Sequence, residues 1–474
     1  MKPVLLALAI LLLPAKAAAV SVSSNGTGQV LIYPYYSTRH MDTVVSVTNG
    51  SSRPKALKVV VREAKQGRAV LKFNLYIRGG DSWSALLGSE PDGRRPFVST
   101  VDSTCTVPSI LSQNDGVLPD GAPSVALQSD LINDDPDVDR RLGEGYAEIF
   151  EMGELTGDAA ALANDHACFG LHTAWVAPNG FWSIDASVDL LPPTGGLEGR
   201  AMLVDAASGV SYEYVPVALK EFSARQQHST PTDVGESELS NANSGQESDG
   251  VRSTVFTDEG SVDLLWRSGD EAVSAALSQA SLAATYRISE ALEISTDAIL
   301  VFPTRRYFED EAFAPADKPV PILPFRSTYS DERGAPTRVP VLIANSVGDV
   351  LVPPVFFSVN LPWTVQVLNV SADPVLDSAF RVGEDVKARA DGRMVLHFGD
   401  SSRTGQRGGF AFDDARVASG PSQGMVARLG GLPVIGLRVE RTLAGAIGTA
   451  SGRQLRQPGG TVLPMTGDTD LQLP

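Results

Sequence analysis

The chain is expected to be mainly β, as two β-sandwich-like (immunoglobulin-like) domains with one or two short helices. Three observations predict this. Apolar and polar residues alternate over eight to ten positions in several segments, the period of a strand with one buried and one wet face. Turn signals recur between those segments at short intervals. The long helical crossovers that parallel strands require are missing from the first half. The length of 474 residues suits two or three domains.

Residues 1–19 read as a signal peptide. Lys2 precedes an unbroken apolar run at 4–13, and small residues follow, with A-x-A cleavage options after Ala17 or Ala19. That run is too short to span a bilayer, which needs about 20 apolar residues. No later stretch is long and apolar enough either, so no transmembrane segment is expected in the mature chain. The expected location is therefore exported: periplasmic, outer-surface or secreted.

Residues 20–222 are expected to form the first sandwich. Leu71, Phe73, Leu75 and Ile77 alternate with Lys72, Asn74, Tyr76 and Arg78. Trp182, Ile184, Ala186, Val188 and Leu190 alternate with Ser183, Asp185, Ser187 and Asp189. These predict strands at 71–77 and 182–190. Further strands are predicted at 29–36, 43–48, 57–63, 145–152, 200–206 and 211–218. Asn49-Gly50, Gly79-Gly80 and Pro192-Pro193 are among the turn signals between them. One short helix is predicted at 158–164.

Residues 223–260 are rich in Ser, Thr, Asn, Gln, Gly and acids. So polar a segment buries too little surface to offset its ordering entropy. It is read as a linker or mobile loop between domains. Residues 261–474 are expected to form a second, mostly β domain with a helix near 269–285. Ser268 and Glu271 have capping-box spacing, and Val273, Ala276, Leu277, Ala280 and Ala284 share one face. Strands are predicted at 298–302, 339–344, 355–361, 363–368, 394–398, 409–412 and 433–439.

The only cysteines, Cys105 and Cys168, would meet an oxidising compartment after export. A disulfide is expected, closing a loop of about 64 residues and worth about 4 kcal/mol in the chain-entropy model. The alternatives are free thiols, or a metal site from His166, Cys168 and His172, whose spacing fits no common zinc pattern.

The segments "GQVLIYPYYSTRHMDTVVSVTN", "ALKVVVREA", "VLKFNLYIRGGDSWSALL", "GYAEIFEMGELTGD", "AILVFPTRRYF" and "GGLPVIGLRV" together resemble a family of uncharacterised exported proteins of proteobacteria. The resemblance runs from Gly28 to about Val439 and rests on strand patterns. It implies a Gram-negative envelope or secreted location and carries no activity and no site residue. The pair "TVVSVTN" and "ALKVVVRE" is similar to paired strands of immunoglobulin-like surface domains.

Charge limits the partners. Formal charge is −17, from 39 basic and 56 acidic residues, so the chain lacks the basic excess that nucleic-acid binders use. Nucleic acid is not an expected partner; an envelope protein or a polysaccharide is. Tyr33, Tyr35, Tyr36, Trp83, Trp175, Trp182, Tyr212 and Tyr214 would line a sugar-binding face if exposed, and would fill cores if not.

Several motifs suggest chemistry. Asp135, Asp137 and Asp139 repeat the 1, 3, 5 spacing of a calcium loop, with Glu144 nearby, but Arg140 and Tyr146 stand where an EF-hand needs Gly and Glu. They are candidate calcium ligands, and the alternative is a solvated acidic loop. Gly420-Pro421-Ser422-Gln423-Gly424 matches the nucleophile elbow without the following helix or a later histidine, so a turn is expected. LPMTG at 463–467 lacks the apolar span and basic tail of a sortase signal. His397 and His40 read as surface histidines. No catalytic residue and no cofactor other than calcium is predicted. The expected function is an exported, non-catalytic, envelope-associated or secreted structural or binding protein. The alternatives are an extracellular hydrolase acting on a polymer and a calcium-stabilised adhesion module.

Overall fold

The structure is a computed structural model. It describes residues 18–90, 94–113, 121–128, 137–232, 238–244, 250–257, 260–290, 293–310, 324–325, 337–345, 358–371, 373–383, 391–399, 411–419, 421–442, 446–449, 452–455 and 459–472.

Alternation of side-chain polarity builds the first half. Its strands are β1 (Ser21–Val22), β2 (Val30–Ser37), β3 (Asp42–Asn49), β4 (Lys55–Glu63), β5 (Ala69–Ile77), β6 (Ser82–Gly88), β7 (Phe97–Ser99), β8 (Cys105–Val107), β9 (Ser124–Ala126), β10 (Glu144–Leu155), β11 (Leu190–Leu191), β12 (Leu197–Asp205), β13 (Val210–Tyr214) and β14 (Val217–Lys220). One sheet runs β1-β14-β2-β10-β4-β5-β8, with β11 beside β10, and the other β13-β12-β3-β6-β7-β9. Every pairing in both is antiparallel. β3 buries every second side chain, as predicted for a strand with one wet face. Val45, Trp83 and Leu87 from the second sheet meet Val59, Phe73 and Ile149 from the first around one small gap, the core of a sandwich. The mainly β, sandwich-like expectation is thus met.

The first sheet differs from the simple pattern. β4 and β10 are buried at every position. Val59, Val61, Ala147 and Ile149 face the sandwich core; Lys58, Arg62, Lys72 and Glu148 alternate with such core positions and, by parity, belong to the face expected to be wet. That face is covered instead. The segment expected to be a linker or mobile loop at 223–260 does much of the covering where it is described. His228, Ser229, Glu238, Leu239, Ala242 and Ser244 are buried in it, and Val251–Thr257 is a strand. Its polarity is absorbed by ion pairs and backbone hydrogen bonds, so poverty in apolar residues did not prevent packing.

Three further expectations need correction. Residues 182–190 are not a strand: α4 (Phe181–Ile184) is followed by turns that lead to β11. The Trp182 indole donates to Val188 O at 3.0 Å, whereas residues six apart in a strand lie about 20 Å apart. The predicted strand 211–218 is two strands in different sheets, divided at Pro216, which has no N–H to give a ladder. The helix near 269–285 ends early, as Gly269–Leu277. The Ser278 hydroxyl donates to Ser274 O at 3.0 Å at that end, and Ser281–Tyr286 pairs as a strand with Gly392–His397. At its start Glu271 accepts from Arg267 N at 3.1 Å, and the Ser268 side chain makes no cap bond.

Among the described residues the second half holds three five-stranded sheets. One contains Val251–Thr257, Gly260–Trp266, Ala411–Val417, Val426–Gly430 and Asp470–Gln472. Another runs from Ser358–Leu361 through Gly392–His397 to Thr466–Asp468. The third is centred on Ile294–Val301, with Val365–Asn369 on one side and Ile435–Thr442 on the other. Apolar side chains from both halves, such as Val30, Val60, Ile299, Val367 and Leu437, belong to one continuous core.

Candidate interaction surface

Between β10 and β12 the chain leaves the sheets and builds a small helical lobe. Its helices are α2 (Gly157–Asn164), α3 (Cys168–Val176) and α4; a separate helix, α1 (Val138–Leu142), lies just ahead of β10. The alanine-rich run at 159–163 favours α2. The start of α2 is capped from outside its own sequence. Asp189 Oδ2 accepts from Asp158 N at 2.9 Å and from Ala159 N at 3.2 Å. Gly157 has φ +52°, and a Cβ there would meet Asp189 Oδ1 at 2.4 Å, so only glycine allows this cap.

Two attachments hold the lobe to the first sheet. The Cys105–Cys168 disulfide, as expected, joins β8 to the first residue of α3 across a Cα–Cα distance of 5.0 Å. Behind it lies a separate small core of Tyr76, Met152, Leu155, Leu171, Trp175 and Trp182. Tyr76 stacks on Trp182 at 5.1 Å, and His228 packs edge-on to Trp182 at 4.5 Å. The Trp175 indole donates to the Tyr76 oxygen at 2.7 Å. His228 Nδ1 lies 2.8 Å from Ala186 O, which can only accept, so Nδ1 carries the proton. Nε2 is then the acceptor for the Tyr76 hydroxyl, 3.0 Å away. Burial lowers the His228 pKa to about 3, with Lys58 adding to the effect and the Ala186 bond opposing it. The ring is neutral and structural.

The opposite face of the lobe is also apolar, and it is bare. In α3 the buried side chains are Leu171, Ala174 and Trp175. Phe169 and Val176, two turns apart on the other side, are 83% and 62% exposed, and Ile184 at the end of α4 is 72% exposed. Val101 is 89% exposed. It lies two residues before Ser103, whose carbonyl accepts from His166 Nδ1 at 3.2 Å. The Ser183 hydroxyl ties α4 to the end of α3 through Ala177 O at 2.8 Å. Helix spacing puts Phe169 and Val176 on one face of α3, and these contacts bring the segments that carry Ile184 and Val101 to the same lobe. Between 156 and 191 the sequence has four aspartates, Asp158, Asp165, Asp185 and Asp189, and no lysine or arginine. Asp185 is held below the usual carboxylate range by the Ser187 hydroxyl and N–H.

The residues singled out in the sequence fall elsewhere. Asp135 lies outside the described residues. Asp137 precedes α1 and pairs with Arg140 at 3.8 Å, and Asp139 sits within α1. Glu144 is fully buried. It accepts from the Tyr35 hydroxyl at 2.8 Å, the Ser378 hydroxyl at 2.6 Å and Ala379 N at 2.6 Å. Burial raises its pKa against the pull of those donors. Its oxygens are thus engaged in joining the two halves. Among the described residues no group of three or more His, Cys, Asp or Glu side chains is placed to hold a metal ion. Cys168 is in the disulfide, which removes it from the His166, Cys168 and His172 metal alternative. The eight aromatics considered as a sugar-binding face are all buried, so that reading is corrected: they pack the sheets and the lobe. Residues 421–424 form the turn between Ala411–Val417 and Val426–Gly430, while Gly420 lies outside the described residues. Leu463 and Pro464 end one strand and Thr466 starts the next. His40 is exposed beside Asp377 at 2.9 Å, whereas His397, expected at the surface, is half-buried with its pKa lowered by burial.

A cleft of about 660 Å³ opens between the halves, lined by Val217, Leu282, Ile435 and Met465 among others. Its charged lining residues, Arg200 and Glu213, pair with each other at 2.6 Å. Among the described residues no helix is long and apolar enough to cross a membrane. No family model, curated protein or solved structure matches the chain.

The bare face of α3 had a signal that the sequence reading missed. In "CFGLHTAWV" apolar residues occupy both sides of the helix, and a helix apolar all round calls for cover on all sides.

Proposed function

We propose that this is an exported, non-catalytic binding protein of the cell envelope or of the secreted fraction, which presents the α2–α4 lobe to a partner. The observation that carries the reading is the bare row of Phe169, Val176 and Ile184 on a lobe fixed to the sheets by a disulfide. Contiguous exposed apolar side chains on a soluble fold mark interaction sites. A rigid scaffold that holds such a site in one orientation lowers the ordering cost of binding. The cleft supports the same reading, since its carboxylate is neutralised by its arginine. Export rests on the apolar leader and on the family resemblance.

The test uses a photoreactive amino acid placed at position 169 in cells that export the chain. One discrete adduct is expected, and Val176→Ser/Ile184→Ser should abolish it without lowering Tm. The same adduct pattern from position 202, on the second sheet, overturns the reading.

A further inference from the structure

We infer that the exposed margin of α3 and α4 docks a protein whose contact surface is apolar and rimmed by lysine or arginine. The inference rests on the binding reading above and names the partner's chemistry.

Two features of the lobe combine. The first is the set of exposed apolar side chains Phe169 and Val176 on α3 and Ile184 at the end of α4, with exposed Val101 on the segment that bonds to His166. Phe169 and Val176 are seven residues apart, so they stand about 10 Å apart along one helix face. That spacing suits a short amphipathic helix or a shallow apolar pocket. The second is charge. Exposed Asp165 lies four residues before Phe169, exposed Asp158 is in the first turn of α2, and exposed Asp185 follows Ile184 directly. No lysine or arginine between 156 and 191 offsets them. Complementary rim charges steer encounter and select partners.

The same charges argue against other occupants. A second copy docking through this face would set acidic lobe against acidic lobe across a two-fold contact. A membrane rich in anionic lipid would be repelled for the same reason, and the whole chain carries −17. A polysaccharide would use aromatic platforms, and the tryptophans of this lobe, Trp175 and Trp182, are turned inward. A cationic, apolar protein surface satisfies both features together.

The test uses the full chain and defined probes: an amphipathic helical peptide of leucine and lysine, its leucine–glutamate counterpart, and vesicles of phosphatidylcholine with and without phosphatidylglycerol. The leucine–lysine peptide should bind, more weakly as salt rises, because exposed charges are screened within about 8 Å at physiological ionic strength. Phe169→Ser/Ile184→Ser should weaken it about tenfold with Tm unchanged. Asp165→Asn/Asp185→Asn, which leaves the apolar row intact, should weaken it and flatten the salt dependence. The leucine–glutamate peptide should not bind. Equal binding of both peptides that still depends on Phe169 and Ile184 overturns the charged partner and leaves the binding site standing. Peptide binding unaffected by the serine pair overturns both. Stronger binding to vesicles than to peptide overturns the protein partner in favour of a lipid surface.

Discussion

Arg62 and Glu238 stand 176 positions apart in the chain, yet the Arg62 guanidinium donates to Glu238 Oε2 at 2.7 Å in the interior. The same carboxylate oxygen accepts from Arg306 at 2.7 Å and from the Tyr307 hydroxyl at 2.9 Å. Lys72 approaches the other oxygen at 3.2 Å, and Arg62 also donates to Glu148. Strands β4 and β5, the polar segment and the helix Arg306–Glu309 meet at this one carboxylate, and β10 joins them through Glu148 on Arg62. Burial opposes the ionisation of Glu238, but Arg62, Arg306 and Lys72 outweigh it and hold the carboxyl well below its usual range.

Removing that carboxylate leaves buried guanidiniums without their shared partner. Glu238→Gln is expected to cost about 3–5 kcal/mol at pH 7, the range for breaking a buried pair. The lowered pKa means this stability is present above the unfolded carboxyl value and fades as pH falls below about 4.3. Urea unfolding at pH 7 and pH 3.5 reads both. A loss at pH 7 under about 1 kcal/mol would show that the cluster is not a net source of stability.

His228 makes stability acid-sensitive. Its pKa falls from 6.5 to about 3 on folding, so the unfolded state takes up a proton that the folded state refuses. The contribution is whole above pH 6.5 and shrinks by about 1.4 kcal/mol per pH unit on the way to pH 3. Relative to the parent, the stability of His228→Gln should fall as pH rises from 4 to 6.5, because the His228 contribution to the slope is gone. Parallel profiles sink the assignment.

Asp297 works in the opposite direction. It lies on Ile294–Val301 and accepts from Val375 N and Leu376 N, each at 2.9 Å. Burial raises its pKa to about 7, against those two donors and the more distant Arg381 and Arg441. Its raised value favours the folded state fully below pH 3.8, and that advantage is lost as pH rises towards 7. Between pH 4 and 6.5 the slopes of His228 and Asp297 oppose each other, so the parent profile hides both. Asp297→Asn should make stability rise more steeply with pH in that window than in the parent, and thermal melts of the two single variants separate the terms.

The disulfide acts on the lobe. Cys105→Ser/Cys168→Ser is expected to lose about 4 kcal/mol in the chain-entropy model. Hydrogen exchange should then quicken in α2 and α3 before it quickens in β10. Uniform quickening across both would mean that the bond stabilises the sandwich as a whole.

The backbone at Val20 bears on the two cleavage positions that the sequence leads one to expect. Val20 is fully buried, its N–H donates to Arg252 O at 2.9 Å, and its carbonyl accepts from Thr254 N at 2.8 Å. A chain beginning at Val20 would place an ammonium where an amide sits. It should melt lower than a chain beginning at Ala18. The gap should close above about pH 8, where an α-amino group is neutral even when exposed. Equal melts at pH 6 would refute this.

Much of the strand layout was legible in the sequence alone. The periods at 43–48 and 71–77 act through neighbours two residues apart, and a pleat turns that spacing directly into faces. The disulfide was legible because there were two cysteines and one pairing. Tertiary structure decided what covers each face. Lys58, Arg62 and Glu148 are spaced like a wet surface, and they are buried because a polar segment far downstream in the chain brings Glu238 and His228 to their side of the sheet. The same dependence on distant chain let Trp182 reach Val188 O and close a turn, and let Asp189 cap α2. It also left Phe169 bare while Trp175, six residues further on, is buried. Local spacing sets which side chains share a face, but burial depends on what part of the chain comes to lie over that face.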